Sequence, residues 1–309
     1  MGIGIRDAYG IALAELCRNE KIVVLDADLG KATKTLNFRD VAPNRFFDMG
    51  ISEQDMIGTA AGFAVEGKIP FASTFAIFAA GRAFEQIRNA VCYPKLNVKI
   101  AATHAGITVG ADGGSHQAIE DIALMRSIPN MVVLCPSDDI ETKSMVREVA
   151  NYNGPVYMRL SRMPVPTIHE SDFKFEIGKG EIVTEGETIA IITTGIMVEK
   201  ALRASEKLKE VGIDAAVVNL STIKPLDETL ILDLARRTGR IVTVEEHSVI
   251  GGLGSAVAEF LSQELPTKMK LIGIKDRFGQ SGSPDDLLNH YGLTVEHIVD
   301  ECISLLKEL

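Results

Sequence analysis

Two histidines and an aspartate bracket a glycine-rich stretch: Thr103-His104-Ala105-Gly106, then Gly110-Ala111-Asp112-Gly113-Gly114-Ser115-His116-Gln117. Glycines let a ligand approach the backbone closely, and imidazole and carboxylate groups beside it can hydrogen-bond hydroxyls and carry protons. Either histidine taken alone reads more simply as a satisfied structural residue. A carboxylate, Glu53, stands at the start of an apolar-rich segment, Asp48-Met49-Gly50-Ile51-Ser52-Glu53-Gln54-Asp55-Met56. Alone it reads as a partner for the positive end of a helix; desolvated by Ile51, Met56 and Ile57 it would suit proton chemistry. Phe75 and Phe78, in Ser73-Thr74-Phe75-Ala76-Ile77-Phe78, are either core or a flat wall for a ring. Arg159 and Arg162, in Tyr157-Met158-Arg159-Leu160-Ser161-Arg162, offer guanidinium forks that match a phosphate; the alternatives are a solvated surface and, for Arg159, a structural role. Asp28, in Asp26-Ala27-Asp28-Leu29-Gly30, is a ligand contact or a strand-end turn residue.

These residues lie where short apolar runs give way to loops. Ile22–Leu25, Pro70–Phe78, Val98–Thr103, Met131–Leu134 and Val156–Leu160 read as strands buried on both faces. Helices are expected from the Tyr9, Leu13, Leu16 repeat, over Met56–Val65 (ending at Gly67), over Ala83–Val91, and over 118–126 and 138–150. A polar loop is expected from Gly30 through Asn37. Residues 163–188 mix Pro164, Pro166, Gly178, Gly180 and Gly186 with charges and show no clean period. Strands at Ile189–Ile192, Ala215–Asn219, Ile241–Val244 and Leu271–Ile274 then alternate with helices at Met197–Val211, Leu226–Arg237 and Ser255–Glu264. A final helix carries an apolar stripe from Val295 to Leu306. The pattern predicts an α/β fold of two domains with mainly parallel sheets: 1–165, a linker at 166–188, and 189–309. A length of 309 residues suffices for two cores.

A formal net charge of -10 argues against a nucleic-acid or anionic-membrane partner, since both demand a basic face. Cys17, Cys92, Cys135 and Cys302 form no CxxC pair, which removes zinc-ribbon and thioredoxin-like readings. No basic start precedes an apolar run of signal-peptide type, and no run nears the roughly 20 residues of a membrane helix. A cytoplasmic enzyme with reduced thiols is therefore expected, and Asn219-Leu220-Ser221 is a chance sequon. The start at Met1 with a well-patterned first helix points to a natural subunit.

The Glu53 segment resembles the GxxE segment of the pyrimidine-binding domain in transketolases, 1-deoxyxylulose-5-phosphate synthases and the beta subunits of 2-oxo acid dehydrogenases. The resemblance covers essentially the whole chain, with a transketolase C-terminal domain following. It implies that Glu53 hydrogen-bonds N1′ of the aminopyrimidine of thiamine diphosphate, which promotes the imino form of the cofactor's own base; such a carboxyl works best buried and able to hold the proton. Ser73–Phe78 resembles the transketolase stretch TSTFLMF, which implies that Phe75 and Phe78 line the pyrimidine pocket; a tyrosine expected three residues further on is Gly81 here. The loop resembles TH…GEDGPTHQ. By that likeness His104 and His116 contact the sugar hydroxyls and the carbonyl oxygen, and Asp112 binds the C2-hydroxyl region of the aldose. Thr103-His104 stands where the deoxyxylulose phosphate synthases carry Asp-Arg. The Leu-Ser-Arg match implies that Arg162 binds the sugar phosphate, with Arg159 contributing or structural. Asp28 falls in a stretch resembling SADL, near the cofactor or the site mouth, and the family's phosphate-contacting Ser is replaced by Ala32 or Thr33. Val244–Gly254 lacks GxGxxG spacing and is expected to serve packing and subunit contact.

The family's GDG…N signature is missing, for no Gly-Asp-Gly occurs in the sequence. No metal ligand is expected in this chain. The resemblance implies an N-terminal-half subunit that carries the signature and holds most of the Mg2+ and diphosphate, self-association into an α2β2-type heterotetramer, and transfer of a two-carbon ketol unit between sugar phosphates in pentose phosphate metabolism. The rival readings are a 2-oxo acid dehydrogenase beta subunit, a deoxyxylulose phosphate synthase-like or specialised ketol transferase subunit, and an inactive scaffold.

Overall fold

The computed structural model describes residues 2–308. Twelve strands are present among them: β1 (Ile22–Asp26), β2 (Phe46–Asp48), β3 (Ile69–Phe75), β4 (Lys99–Thr103), β5 (Val132–Leu134), β6 (Val156–Leu160), β7 (Glu181–Thr184), β8 (Ile189–Thr193), β9 (Ala215–Asn219), β10 (Thr222–Lys224), β11 (Arg240–Ser248) and β12 (Lys268–Ile274). They make a seven-stranded sheet, β10-β5-β6-β4-β3-β1-β2, and a five-stranded sheet, β12-β11-β8-β9-β7. Only β10 against β5 and β7 against β9 are antiparallel. The expected α/β architecture with mainly parallel sheets is what the chain adopts.

The strands read as continuous apolar runs because both faces are covered. Ile22 and Val24 of β1 enter one core, with Ile5, Tyr9 and Leu13 of the first helix (Ile5–Glu15) and Met145, Val146 and Val149 of the helix Asp139–Asn151. Val23 and Leu25 point the other way, onto Met56, Ile57, Ala60 and Ala61 of the helix Glu53–Val65. Each large side chain so buried contributes about 1.5–3 kcal/mol. The first core continues into the second unit, through Ile189 and Ile191 of β8 to Ile298, Cys302 and Leu305 of the last helix (Val295–Lys307).

The differences from the sequence pattern are local. The segment read as a polar loop after Gly30 folds into two short helices, Gly30–Thr33 and Leu36–Val41. They are ordered by a buried acid: Asp26 accepts from Thr33 Oγ1 at 2.6 Å, Thr35 Oγ1 at 2.8 Å and the Leu29 amide at 2.6 Å. β3 stops at Phe75 rather than running to Phe78, and wide π-type turns occupy Phe78–Arg82 and Ile87–Cys92. The short strands β2, β7 and β10 escape a pattern reading because, unlike the equally short β5, none of them is a continuous apolar run. β10 leaves the second unit and pairs on the edge of the first sheet, Thr222 opposite Leu134 and Lys224 opposite Val133.

Candidate functional site

β1, β2, β3, β4 and β6 run parallel, so their carboxyl ends line one edge of the sheet. In open α/β sheets this edge is where ligands bind. The predicted residues follow directly: Glu53 after β2, Phe75 closing β3, His104 after β4 and Arg162 after β6.

Rings form the centre of the cluster. Phe75 stacks on His104 with centroids 3.9 Å apart and on Phe78 at 5.8 Å. His116 meets Phe78 edge-on at 5.5 Å and Phe75 at 6.4 Å. Phe78 continues to the acid: the Arg82 guanidinium lies 4.5 Å from its centroid, and Arg82 Nη1 donates to Glu53 Oε2 at 2.8 Å. The Glu53 side chain is 1 % exposed and that of Arg82 47 %, so the pair reaches from the interior to the surface. Glu53 occupies the first turn of its helix with Asp55, where the positive end of the dipole favours acids.

His104 sits at φ 57, a conformation that L-residues adopt at a cost and that clusters at functional sites. Its ring is held on both sides. Arg6 Nη1 lies 3.0 Å from Nε2, and Thr103 Oγ1 lies 2.9 Å from Nδ1. A guanidinium has no acceptor, so Nε2 must accept, the proton resides on Nδ1, and that N–H donates to Thr103. Burial, with Arg6, Arg162 and His116 adding to it, pushes the imidazole down to about 3. His104 is therefore a neutral group of fixed tautomer.

The glycine-rich stretch is compact, with turns over Ile107–Asp112 and positive φ at Gly106, Gly110 and Gly113. Arg162 and Asp112 form a half-exposed pair at 3.4 Å on its rim, and Arg162 also donates to the Val109 carbonyl at 3.0 Å. Ser115 Oγ lies 3.0 Å from His116 Nδ1.

Two predicted residues stand apart. Arg159 is buried at 4 % side-chain exposure, its Nε on Asp121 Oδ2 at 3.0 Å and its Nη2 on the carbonyls of Ala118 and Glu246 at 3.2 and 2.9 Å. Burial works against its charge, but Asp121 beside it holds the guanidinium protonated. It is spent on the fold and presents nothing to the rim. Asp28 is exposed at φ 60, and among the described residues only its amide is engaged, donating to Asp48 Oδ1 at 3.1 Å. Sequence reasoning missed Arg6 and Arg82 as members of the cluster. Arg6 carried a signal, being a cation in the first turn of a helix whose neighbours Ile5 and Tyr9 are buried. Arg82 carried no signal beyond its place four residues after Phe78.

The donor set fits an aminopyrimidine: a buried carboxylate for a ring nitrogen, with two stacked phenyl rings beside it. Among the described residues no group of three or more His, Cys, Asp or Glu side chains is placed to hold a metal ion, and no helix is long and apolar enough to cross a membrane.

Comparison with known proteins gives the same picture from outside. Family models described as transketolase, pyrimidine binding domain, and transketolase, C-terminal domain, match residues 1–167 and 178–298. A protein of Methanocaldococcus jannaschii provisionally named transketolase C-terminal section is 54% identical, over 99% of this chain and 97% of its own. A 6-deoxy-6-sulfo-D-fructose transketolase subunit of Clostridium sp. is 42% identical over 96% of this chain and 92% of its own. The solved structure of a split gene transketolase, inactive beta4 tetramer, superposes with a TM-score of 0.93 at 55% identity, covering 99% of each chain.

Proposed function

This chain belongs to the transketolase family, a family dependent on thiamine diphosphate, and on that premise we propose that it is the pyrimidine-binding half of a two-subunit transketolase. It moves a two-carbon ketol unit from a ketose phosphate to an aldose phosphate, and it does so only with a second subunit. The observation that carries the reading is the unbroken wall His104–Phe75–Phe78–Arg82–Glu53, with His116 against its rings. It joins groups suited to a sugar with a buried acid suited to a heterocycle.

When bound, thiamine diphosphate supplies the carbon nucleophile that takes up the two-carbon unit. Glu53 would hold the proton at N1′ of its pyrimidine, and Phe75 and Phe78 would orient that ring. His104, kept neutral by burial and Arg6, stands on the sugar side without adding charge there; its acceptor Nε2 now receives Arg6, which a sugar hydroxyl would have to replace. His116, edge-on to the same phenyl rings, would add a second imidazole for the sugar's hydroxyls. Asp112 suits the hydroxyls of the aldose. Arg162, half-exposed and facing the rim, suits the phosphate; Asp112 is its present partner and would share it.

The second subunit is implied by the missing Gly-Asp-Gly sequence, since a diphosphate and its magnesium need such a cradle. A related split-gene protein being described as an inactive beta4 tetramer supports the same dependence. Self-association of this chain with two copies of the partner, as α2β2, suits the pattern, and the setting would be pentose phosphate metabolism in the cytoplasm. The test mixes this chain with a subunit bearing GDG…N, thiamine diphosphate and magnesium. Ketol transfer from xylulose 5-phosphate to ribose 5-phosphate, absent with either subunit alone, is expected. Full activity of this chain alone overturns the split. Condensation of pyruvate with glyceraldehyde 3-phosphate, or lipoyl reduction by pyruvate, assigns the chain to the neighbouring enzyme classes instead.

A further inference from the structure

The sequence Glu245-Glu246-His247 ends β11 in the second unit, and each of the three side chains serves a different piece of backbone. Glu245 accepts from the amides of Leu253 and Gly254, at 2.7 and 2.9 Å, at the start of its own following helix (Leu253–Glu264). His247 accepts through Nε2 from the Ile122 amide of the first unit at 3.1 Å. Glu246 reaches into the first unit as well, where Oε1 accepts from the Thr108 amide at 2.7 Å. Thr108 lies inside the stretch that carries Asp112 and His116 and follows His104.

The contact is close by construction. Gly106 adopts φ 80, and a Cβ there would fall 2.2 Å from the Glu246 carboxyl carbon. A glycine is required for this carboxylate to lie against the loop. Glu246 is held from behind, since Arg159 takes its carbonyl at 2.9 Å while paired with Asp121. The second unit also meets the far end of the stretch: Gln117 Nε2 donates to the Gln280 carbonyl at 2.9 Å, besides the Ile107 and Gly110 carbonyls of the stretch itself at 3.1 and 3.2 Å. Glu246 Oε2 and Thr108 Oγ1 are both buried, and among the described residues neither has a hydrogen-bond partner.

We propose that Glu246 is a positioning residue for the sugar site, through which the C-terminal unit sets the placement of the loop bearing Asp112 and His116. It touches no substrate. The pyrimidine wall, built from β3, β4 and the helix at Glu53, does not pass through it. Loss of Glu246 therefore loosens the sugar side and spares the cofactor side. The proposal rests on the transketolase reading above.

The test compares Glu246→Ala and Glu246→Gln in the two-subunit enzyme with thiamine diphosphate and magnesium, and follows hydrogen exchange at the Thr108 amide in the isolated chain. For Glu246→Ala the KM of the aldose phosphate is expected to rise about tenfold, the size set by one buried amide left unpaired, with a smaller change in kcat. Thiamine diphosphate affinity stays put and Thr108 exchange accelerates. Glu246→Gln, whose amide oxygen still accepts, restores both readouts. If Glu246→Ala does not fold, Gly106→Ala drives a methyl into the same contact from the loop side, and the same split is read there. An unaltered Thr108 exchange, an equal loss of sugar and cofactor affinity, or a Gln variant as poor as Ala overturns the proposal. Absence of ketol transfer by the unaltered enzyme would count against the functional reading; the exchange comparison would still decide whether Glu246 fastens the loop.

Discussion

Two regions of this molecule are built from the same side chains and put them to opposite use. At the carboxyl edge of the first sheet, Asp112, His116 and Arg162 are at least partly exposed, and the buried Glu53 and His104 lie beside them, with a half-exposed arginine at each end of the cluster. Between the two units, Asp121, Arg159, Glu245, Glu246 and His247 form a seam in which every member is buried. Arg159 and Arg162 show the contrast within one turn of chain. The first makes four hydrogen bonds in the interior; the second makes two on the rim and keeps a half-exposed guanidinium. The lesson is that in this family-sized α/β fold a charged residue type says little about its role. What decides is whether its hydrogen-bonding capacity is used up by the protein.

The comparison can be broken first at its functional pole. Glu53→Gln is expected to lower kcat of the two-subunit enzyme by about a thousandfold, in the middle of the range for a lost proton-transfer group, with the assembly intact by light scattering. Full activity would remove Glu53 from the mechanism. Next comes the arginine pair. Arg159→Met strands Asp121 in the interior and should cost about 3–5 kcal/mol in chemical denaturation. Arg162→Met should leave stability within about 0.5 kcal/mol and instead raise the KM of the sugar phosphate by about tenfold or more, as expected for a lost charge-assisted contact. Equal stability losses would erase the distinction drawn here.

A third prediction concerns a second buried junction, where His169 in the connecting segment lies 2.9 Å from Asp138 and 2.7 Å from Glu181. Burial alone would lower the imidazole, but its bonds to those two carboxylates raise it to about 10. A folded-state value above the unfolded one means that the stabilisation is complete below about pH 6.5 and fades as the pH climbs to about 10. His169→Gln should cost about 1.5–3 kcal/mol at pH 6, with the gap to the unaltered chain closing through that window. The smallest effect is spectroscopic. The His104 imidazole should show no protonation between pH 5 and 8 by NMR, and Arg6→Met should raise its pKa while leaving His169 as it was. A titration of His104 near pH 6.5 in the unaltered chain would contradict its fixed neutral state.

Much of this arrangement was legible in the residues. The alternation of buried runs and amphipathic helices located the strands that carry Phe75, His104 and Arg162, because a parallel sheet imposes continuous apolar runs. The motif resemblance then identified the cluster around Glu53, Phe75, Phe78, His104 and His116, which the structure brings together. What stayed hidden was partnership. Arg6 lies 98 residues from His104 in sequence, and Glu246 lies 138 from Thr108; no periodicity spans such distances. Arg159 read as a possible phosphate ligand because its neighbours in sequence are those of Arg162, while its neighbours in space, Asp121 and the Glu246 carbonyl, come from elsewhere. The order after Gly30 was unreadable for the same reason, since it depends on Asp26 receiving hydroxyls from Thr33 and Thr35.

The strand β10 carries a consequence for how this chain holds its shape. A segment from the second unit closes an edge of the first sheet that would otherwise present open amides and carbonyls to other chains. A proteolytic nick in 166–188 would leave the two fragments laced together by that strand. The first fragment made on its own would carry a raw β-edge and a tendency to self-adhere, so the boundary visible in the sequence is not a seam along which the molecule comes apart.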